Sequence, residues 1–138
     1  MKRVLFDTNV LLDMALSRKP FVESSLSAFQ TVRARRGEPL IAPHSLATFY
    51  YVVERTEGSA SAFSVVKDLV ATAKIAAFDH DAALRSLSLG FTDFEDAMIV
   101  ATALHNETDL ILTRNPDDFA TSPVPYQTPA EFLKHLPA

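Results

Sequence analysis

The sequence predicts an α/β domain, with a parallel sheet of four or five strands covered by helices on both faces in three α/β/α layers. Three observations predict it. Short apolar runs alternate with longer helical patterns along the chain. Those runs are continuously apolar rather than alternating, which suits strands buried on both faces. The length of 138 residues fits one domain, 1–138, with no repeat, low-complexity tract or linker inside it.

The strands are expected at Val4-Leu5-Phe6, Leu40-Ile41-Ala42, Ile75-Ala76-Ala77-Phe78 and Leu110-Ile111-Leu112. Val124-Pro125-Tyr126 reads as a weaker strand, and its proline confines it to a sheet edge. Helical patterns run at roughly 20–36, 44–57, 60–73, 80–89, 93–106 and 129–135. Pro20 and Pro43 sit near the openings of the first two, where proline is tolerated.

Composition excludes several chemistries. There is no cysteine, so disulfides, thiolate metal sites and thiol nucleophiles are out. The start of the chain is basic, then apolar for three residues until Asp7. That is far short of a secretory core of roughly 7–15 apolar residues or a membrane span of about 20. A cytoplasmic protein without membrane attachment is expected.

The net charge of −4 argues weakly against a nucleic-acid partner. Its distribution reverses that. Residues 93–118 hold seven acids and one base, so this window carries −6 and the remainder +2. Arg18, Lys19, Arg33, Arg35 and Arg36 crowd one early stretch. They are candidates for contacts with RNA phosphates near the acids, or simply a solvated helix face.

In open parallel sheets, ligands collect at the carboxyl ends of the strands. Asp7 directly follows the first strand, where it suits either a site or a cap for a following helix. Thr92 and Glu95 have capping-box spacing and predict a helix start. On that helix Asp93, Asp96, Val100 and Ala103 share one inward face, whereas Glu95 points elsewhere as a solvated acid. Two carboxylates heading an apolar face are costly unless a cation compensates. After the fourth strand come Thr113, Arg114, Asn115, Pro116, Asp117 and Asp118. Asn115 suits an N-cap and Pro116 the first helical position. One of the two acids then falls beside Asp7.

Three separate segments thus deliver carboxylates to one edge. Oxygen ligands alone favour a hard ion, Mg²⁺ or Mn²⁺. The four histidines, His44, His80, His105 and His135, have no ligand spacing and read as surface or boundary residues.

These stretches together resemble the PIN domain, the family of metal-dependent ribonucleases that includes the VapC toxins of bacterial toxin–antitoxin pairs. The likeness is carried by Val4 to Leu12, by Asp93 to Ala103 and by Leu112 to Phe119. It implies a PIN-like fold and a Mg²⁺/Mn²⁺-dependent endoribonuclease that cleaves RNA phosphodiesters with metal-activated water. It puts metal ligands on Asp7, Asp96 and Asp118, with Asp93 assisting. Thr8, Asn9, Thr48, Thr113 and Asn115 would line the substrate site. It also implies a homodimer and an antitoxin partner.

One position departs from the pattern. Thr48 stands where the family often has a glutamate, and Glu54 lies about 240° further round the same helix. Glu54 therefore reads as a surface ion-pairing or capping residue. The missing acid motivates an alternative, a non-catalytic scaffold that binds RNA or a partner protein. A phosphotransfer receiver is a further alternative, because Asp79 follows the third strand. An aspartate-nucleophile phosphatase needs a second acid where the chain has Asn9.

Overall fold

The computed structural model describes residues 2–137. Five strands form one sheet in the order β3-β2-β1-β4-β5. They are β1 (Arg3–Phe6), β2 (Glu38–Ile41), β3 (Lys74–Ile75), β4 (Leu110–Leu112) and β5 (Tyr126–Gln127). Every pairing is parallel, with Leu5 opposite both Leu40 and Ile111. Seven helices connect or follow them: α1 (Thr8–Ala15), α2 (Val22–Ala34), α3 (Pro43–Glu57), α4 (Ser59–Thr72), α5 (His80–Ser88), α6 (Phe94–His105) and α7 (Pro129–Lys134).

The pleat divides the core in two, because successive strand residues point to opposite faces. Val4, Phe6 and Leu112 face one way and pack with Val10, Leu11, Phe29, Phe49 and Phe132. Leu5, Leu40 and Ile111 face the other way and pack with Ile99, Val100, Ala103 and Phe119. So α1–α4 and α7 cover one face, and α6 covers the other. This is the three-layer arrangement that the continuous apolar runs predict.

Several local expectations change. The third strand ends at Ile75 rather than Phe78. The reason is visible at Ala77, whose N–H and C=O are both taken by the Asn106 amide at 3.0 and 2.9 Å. The last strand is shifted to Tyr126–Gln127, though it lies at the sheet edge as Pro125 requires. Helix α1, outside the helical ranges expected from the pattern, follows β1 directly, in line with the cap reading of Asp7. Asp7 caps it by accepting from the Thr8 N–H at 2.8 Å. The cap of α6 is Asp93, not Thr92, because the Asp93 carboxylate accepts from the Asp96 N–H at 3.0 Å. Asn115 makes no side-chain cap, and Pro116–Phe119 is a single 3₁₀ turn. Glu54 is neither cap nor ion-pair partner. It accepts a hydrogen bond from the Tyr50 hydroxyl at 3.1 Å.

Candidate active site

The order of the strands reverses between β1 and β4, and crevices at such switch points are where open parallel sheets bind ligands. Asp7 leaves β1 and Thr113 leaves β4 at this crevice. Asp7 is buried at 8% exposure. Its N–H donates to the Leu112 carbonyl at 2.9 Å, which ties the two strand ends together. Thr113 is fully buried, and its hydroxyl donates to Asp7 Oδ2 at 2.9 Å. The same hydroxyl accepts from the Asn115 N–H at 3.1 Å. Burial raises the Asp7 pKa, against the lowering effect of Thr113 and Thr8, and the charges of Glu95 and Asp118 raise it further.

Asp96 sits in the first turn of α6, half-buried. Its pKa is pushed up to about 7, first by burial and then by the charges of Asp93, Asp7, Asp118 and Glu95. Carboxylates from three segments therefore share one electrostatic field. Asp118 acts on both Asp7 and Asp96, whereas Asp117 is not among the charges acting on either. Glu95 is exposed as expected, yet its charge reaches Asp7, Asp96 and His44.

The polar rim follows from the neighbouring helix starts. Thr8 and Asn9 open α1, both half-buried. The Thr8 and Ser45 hydroxyls are 2.7 Å apart, linking α1 to α3. Thr48 lies one turn beyond Ser45 on the same side of α3, so the departing position belongs to the face of α3 that meets α1.

Three features decide between options that the sequence leaves open. His44 is half-buried, a boundary residue as expected. Both ring nitrogens are closed off from solvent without a hydrogen-bond partner, and burial lowers its pKa. Arg33 and Arg36 do not lie near the acids. With Lys2 and Lys74 they surround the amino ends of β1, β2 and β3, the opposite edge of the sheet. Asp79 is an exposed cap of α5 beyond β2, apart from the Asp7 crevice, which leaves a receiver without its acceptor there.

Asp13 escaped the sequence reading altogether. It is fully buried in α1, and its Oδ1 accepts from Arg114 Nη1 at 3.0 Å, with Arg18 at 3.8 Å. Burial raises its pKa, and Arg114 and Arg18 oppose that rise. The one local signal was its position three residues after Val10, on a side of α1 that is buried.

Among the described residues, no group of three or more His, Asp or Glu side chains is arranged to hold a metal ion. The chemistry of the donors nevertheless fits a hard dication. Mg²⁺ keeps several waters and needs only one or two protein carboxylates. Burial and then neighbouring like charges raise the Asp96 carboxyl to a pKa of about 7, and those charges are the ones such an ion would neutralise.

The family model described as "PIN domain" matches residues 3–117. The chain belongs to the PIN domain family. No curated protein matches it. Among solved structures, this PIN chain is similar to a toxin–antitoxin complex from Klebsiella pneumoniae, at 26% identity and a TM-score of 0.69, covering 91% of this chain and 97% of that one. It is similar to DNA-bound VapBC from Salmonella typhimurium, at 18% identity and a TM-score of 0.75, covering 94% and 99%. It also matches VapC20 of Mycobacterium tuberculosis, described as a sarcin–ricin-loop-cleaving toxin, at 11% identity and a TM-score of 0.67, covering 85% and 93%. The last two likenesses concern the PIN fold alone. No described helix is long and apolar enough to cross a membrane.

Proposed function

We propose that this PIN domain is a Mg²⁺/Mn²⁺-dependent endoribonuclease and the toxin of a toxin–antitoxin pair. The observation that carries the reading is the shared field of Asp7, Asp96 and Asp118 at the sheet's switch point. The likeness to the Klebsiella pneumoniae toxin–antitoxin complex supports the biological role. That role implies an antitoxin protein as partner and the cytoplasm as site of action. A homodimer belongs to the same reading, as the family resemblance implies.

Asp7, Asp96 and Asp118 would hold the ion, with Asp93 assisting. When bound, it would supply a Lewis acid for the phosphodiester and lower the pKa of water. The protein's own contribution is positional. Thr113 fixes Asp7 Oδ2, and the Asp93 carboxylate fixes the head of α6 through the Asp96 N–H. Thr8, Asn9, Thr48, Thr113 and Asn115 would line the substrate's path around the acids. The test is cleavage of RNA in Mn²⁺ by the wild type, Asp7→Asn and Asp96→Asn. Loss of about a hundredfold or more in both variants is expected. Equal rates in all three would sink the proposal.

A second reading is a non-catalytic scaffold for RNA or a protein partner, favoured by Thr48 at the usual glutamate position. It makes a contrary prediction for Thr48→Glu. On the nuclease reading, the added carboxylate tightens Mn²⁺ binding by roughly tenfold, as a restored supporting ligand does. It also lowers the metal-free melting temperature at pH 8, because it adds a sixth acid to the field of Asp7, Asp93, Glu95, Asp96 and Asp118. Titration calorimetry and thermal melts measure both. A scaffold would leave Mn²⁺ binding undetectable at millimolar metal in either protein.

A further inference from the structure

We propose that Arg114 is a positioning residue for the acidic site, acting through helix α1 and the loop that leaves β4. The inference rests on the nuclease reading above and deepens it.

Three consecutive residues leave β4, and they face opposite ways. Thr113 turns to the site, where its hydroxyl donates to Asp7 Oδ2 at 2.9 Å. The Asn115 N–H closes on the same hydroxyl at 3.1 Å. Arg114, between them, reaches instead to the far end of α1. Its Nη1 donates to Asp13 Oδ1 at 3.0 Å, and its guanidinium carbon stands 4.6 Å above the Phe21 ring. Asp7 caps the start of α1 and Asp13 lies near its end. Adjacent residues of one loop therefore grip both ends of one helix.

That double grip has a geometric consequence. Core packing of Val10 and Leu11 and the Thr8–Ser45 hydroxyl contact already hold α1 to the body of the domain, and Thr113 ties its capped start to the loop. Arg114 adds a second tie to the same loop near the other end of the helix, so the Asp7 carboxylate is set relative to that loop at two points. The same loop runs directly into the 3₁₀ turn that carries Asp118, whose N–H donates to the Asn115 carbonyl at 3.1 Å. Arg114 thereby sets one carboxylate against another without touching substrate. Arginine suits this task because its planar fork and stacked face constrain angle as well as distance. Sites for hard ions tolerate only about 0.5 Å of misplacement.

The cost of the arrangement points the same way. Asp13 is fully buried, and its Oδ2 has no partner. Apolar residues of similar size would hold α1 in place at least as firmly, without an orphaned oxygen. What they lack is direction.

The test uses the full chain with Asp13→Leu and Arg114→Leu combined, which removes the grip without stranding a charge. Three readouts are taken: Mn²⁺ affinity by titration calorimetry, kcat and KM for RNA cleavage, and hydrogen exchange of the Asn115 amide in metal-free protein. The expected result is Mn²⁺ binding weaker by about tenfold, the effect usual for loss of a supporting contact behind a ligand. It comes with a fall in kcat, KM within about twofold, and faster Asn115 exchange, in a protein that melts no lower than wild type. Arg114→Lys, which keeps charge but not the fork, should lie between the two. If the double variant fails to fold, Arg114→Lys takes its place on the same readouts. Mn²⁺ affinity within twofold of wild type, or unchanged Asn115 exchange, overturns the proposal. A wild type that binds Mn²⁺ but cleaves no RNA counts against the nuclease reading alone, since affinity and exchange still decide the role of Arg114.

Discussion

Asparagine in place of Asp96 is expected to abolish RNA cleavage and, without metal, to stabilise the protein at pH 8. The two effects share a cause. Asp96 has a folded-state pKa of about 7 against an ordinary value of 3.8. A raised pKa means that folding favours the protonated carboxyl. The stabilising contribution is therefore complete below about pH 4 and is lost as pH rises through 7. Asp7 is shifted in the same direction. The metal-free wild type should melt lower at pH 8 than at pH 5, and Asp96→Asn should flatten that slope. Each kcal/mol relieved corresponds to roughly 3–5 °C in a domain of this size. Mn²⁺ at about a hundred times its dissociation constant should restore roughly 2.7 kcal/mol to the wild type at pH 8 and much less to the variant. Thermal melts across pH, with and without Mn²⁺, check this. A variant that melts lower than wild type at pH 8 without metal would contradict the account.

The second large effect concerns the buried pair behind the site. Arg114→Leu alone leaves Asp13 as a buried charge with only Arg18, 3.8 Å away, to offset it. Breaking a buried pair typically costs about 3–5 kcal/mol, and the remaining arginine should reduce this to about 2–3. The loss should shrink as pH falls, because burial already raises the Asp13 pKa and the stranded carboxyl takes up a proton more readily still. Adding Asp13→Leu should recover most or all of the stability, since apolar replacement of a whole buried pair is often neutral or better. Denaturant titration of the two variants checks it. A loss that does not depend on pH, or that doubles in the double variant, would contradict the assignment of Asp13 as the stranded charge.

How far these features were legible in the sequence follows from how local their causes are. The strands announced themselves because burial on both faces leaves uninterrupted apolar runs such as Leu110-Ile111-Leu112. Asp7 could be found because it directly ends one of those runs. The extent of helix α1 could not, although Asp7 marks its cap, because Val10-Leu11-Leu12 is too short an apolar run to separate helix from strand by period. The α6 cap was misplaced by one residue, since Thr92 and Asp93 are both good caps and backbone geometry chooses between them. Asp13 and Arg114 are 101 residues apart, so their pairing left no local trace. The basic stretch stays ambiguous in the sequence for a related reason, and the exposed Arg33 and Arg36 fit its solvated-face reading. Arg18 approaches the buried Asp13 while Arg33 and Arg36 lie at the far edge of the sheet, and only the direction of α2 separates them. Among residues near the acids, His44 is legible only as a boundary residue, because nothing in its neighbourhood reveals that the first turn of α3 stands in Glu95's field.

The central claim is that acids from three segments make one site for a hard dication. Its most direct test is titration calorimetry of the metal-free chain with Mn²⁺ at pH 8 and at pH 5.5, in parallel with Asp7→Asn and Asp96→Asn. The account predicts binding by the wild type at pH 8, weaker by roughly tenfold at pH 5.5, where protons occupy Asp96, and weaker by tenfold or more in each variant at pH 8. Binding that is undetectable at millimolar Mn²⁺, or equal in the wild type and both variants, would contradict it.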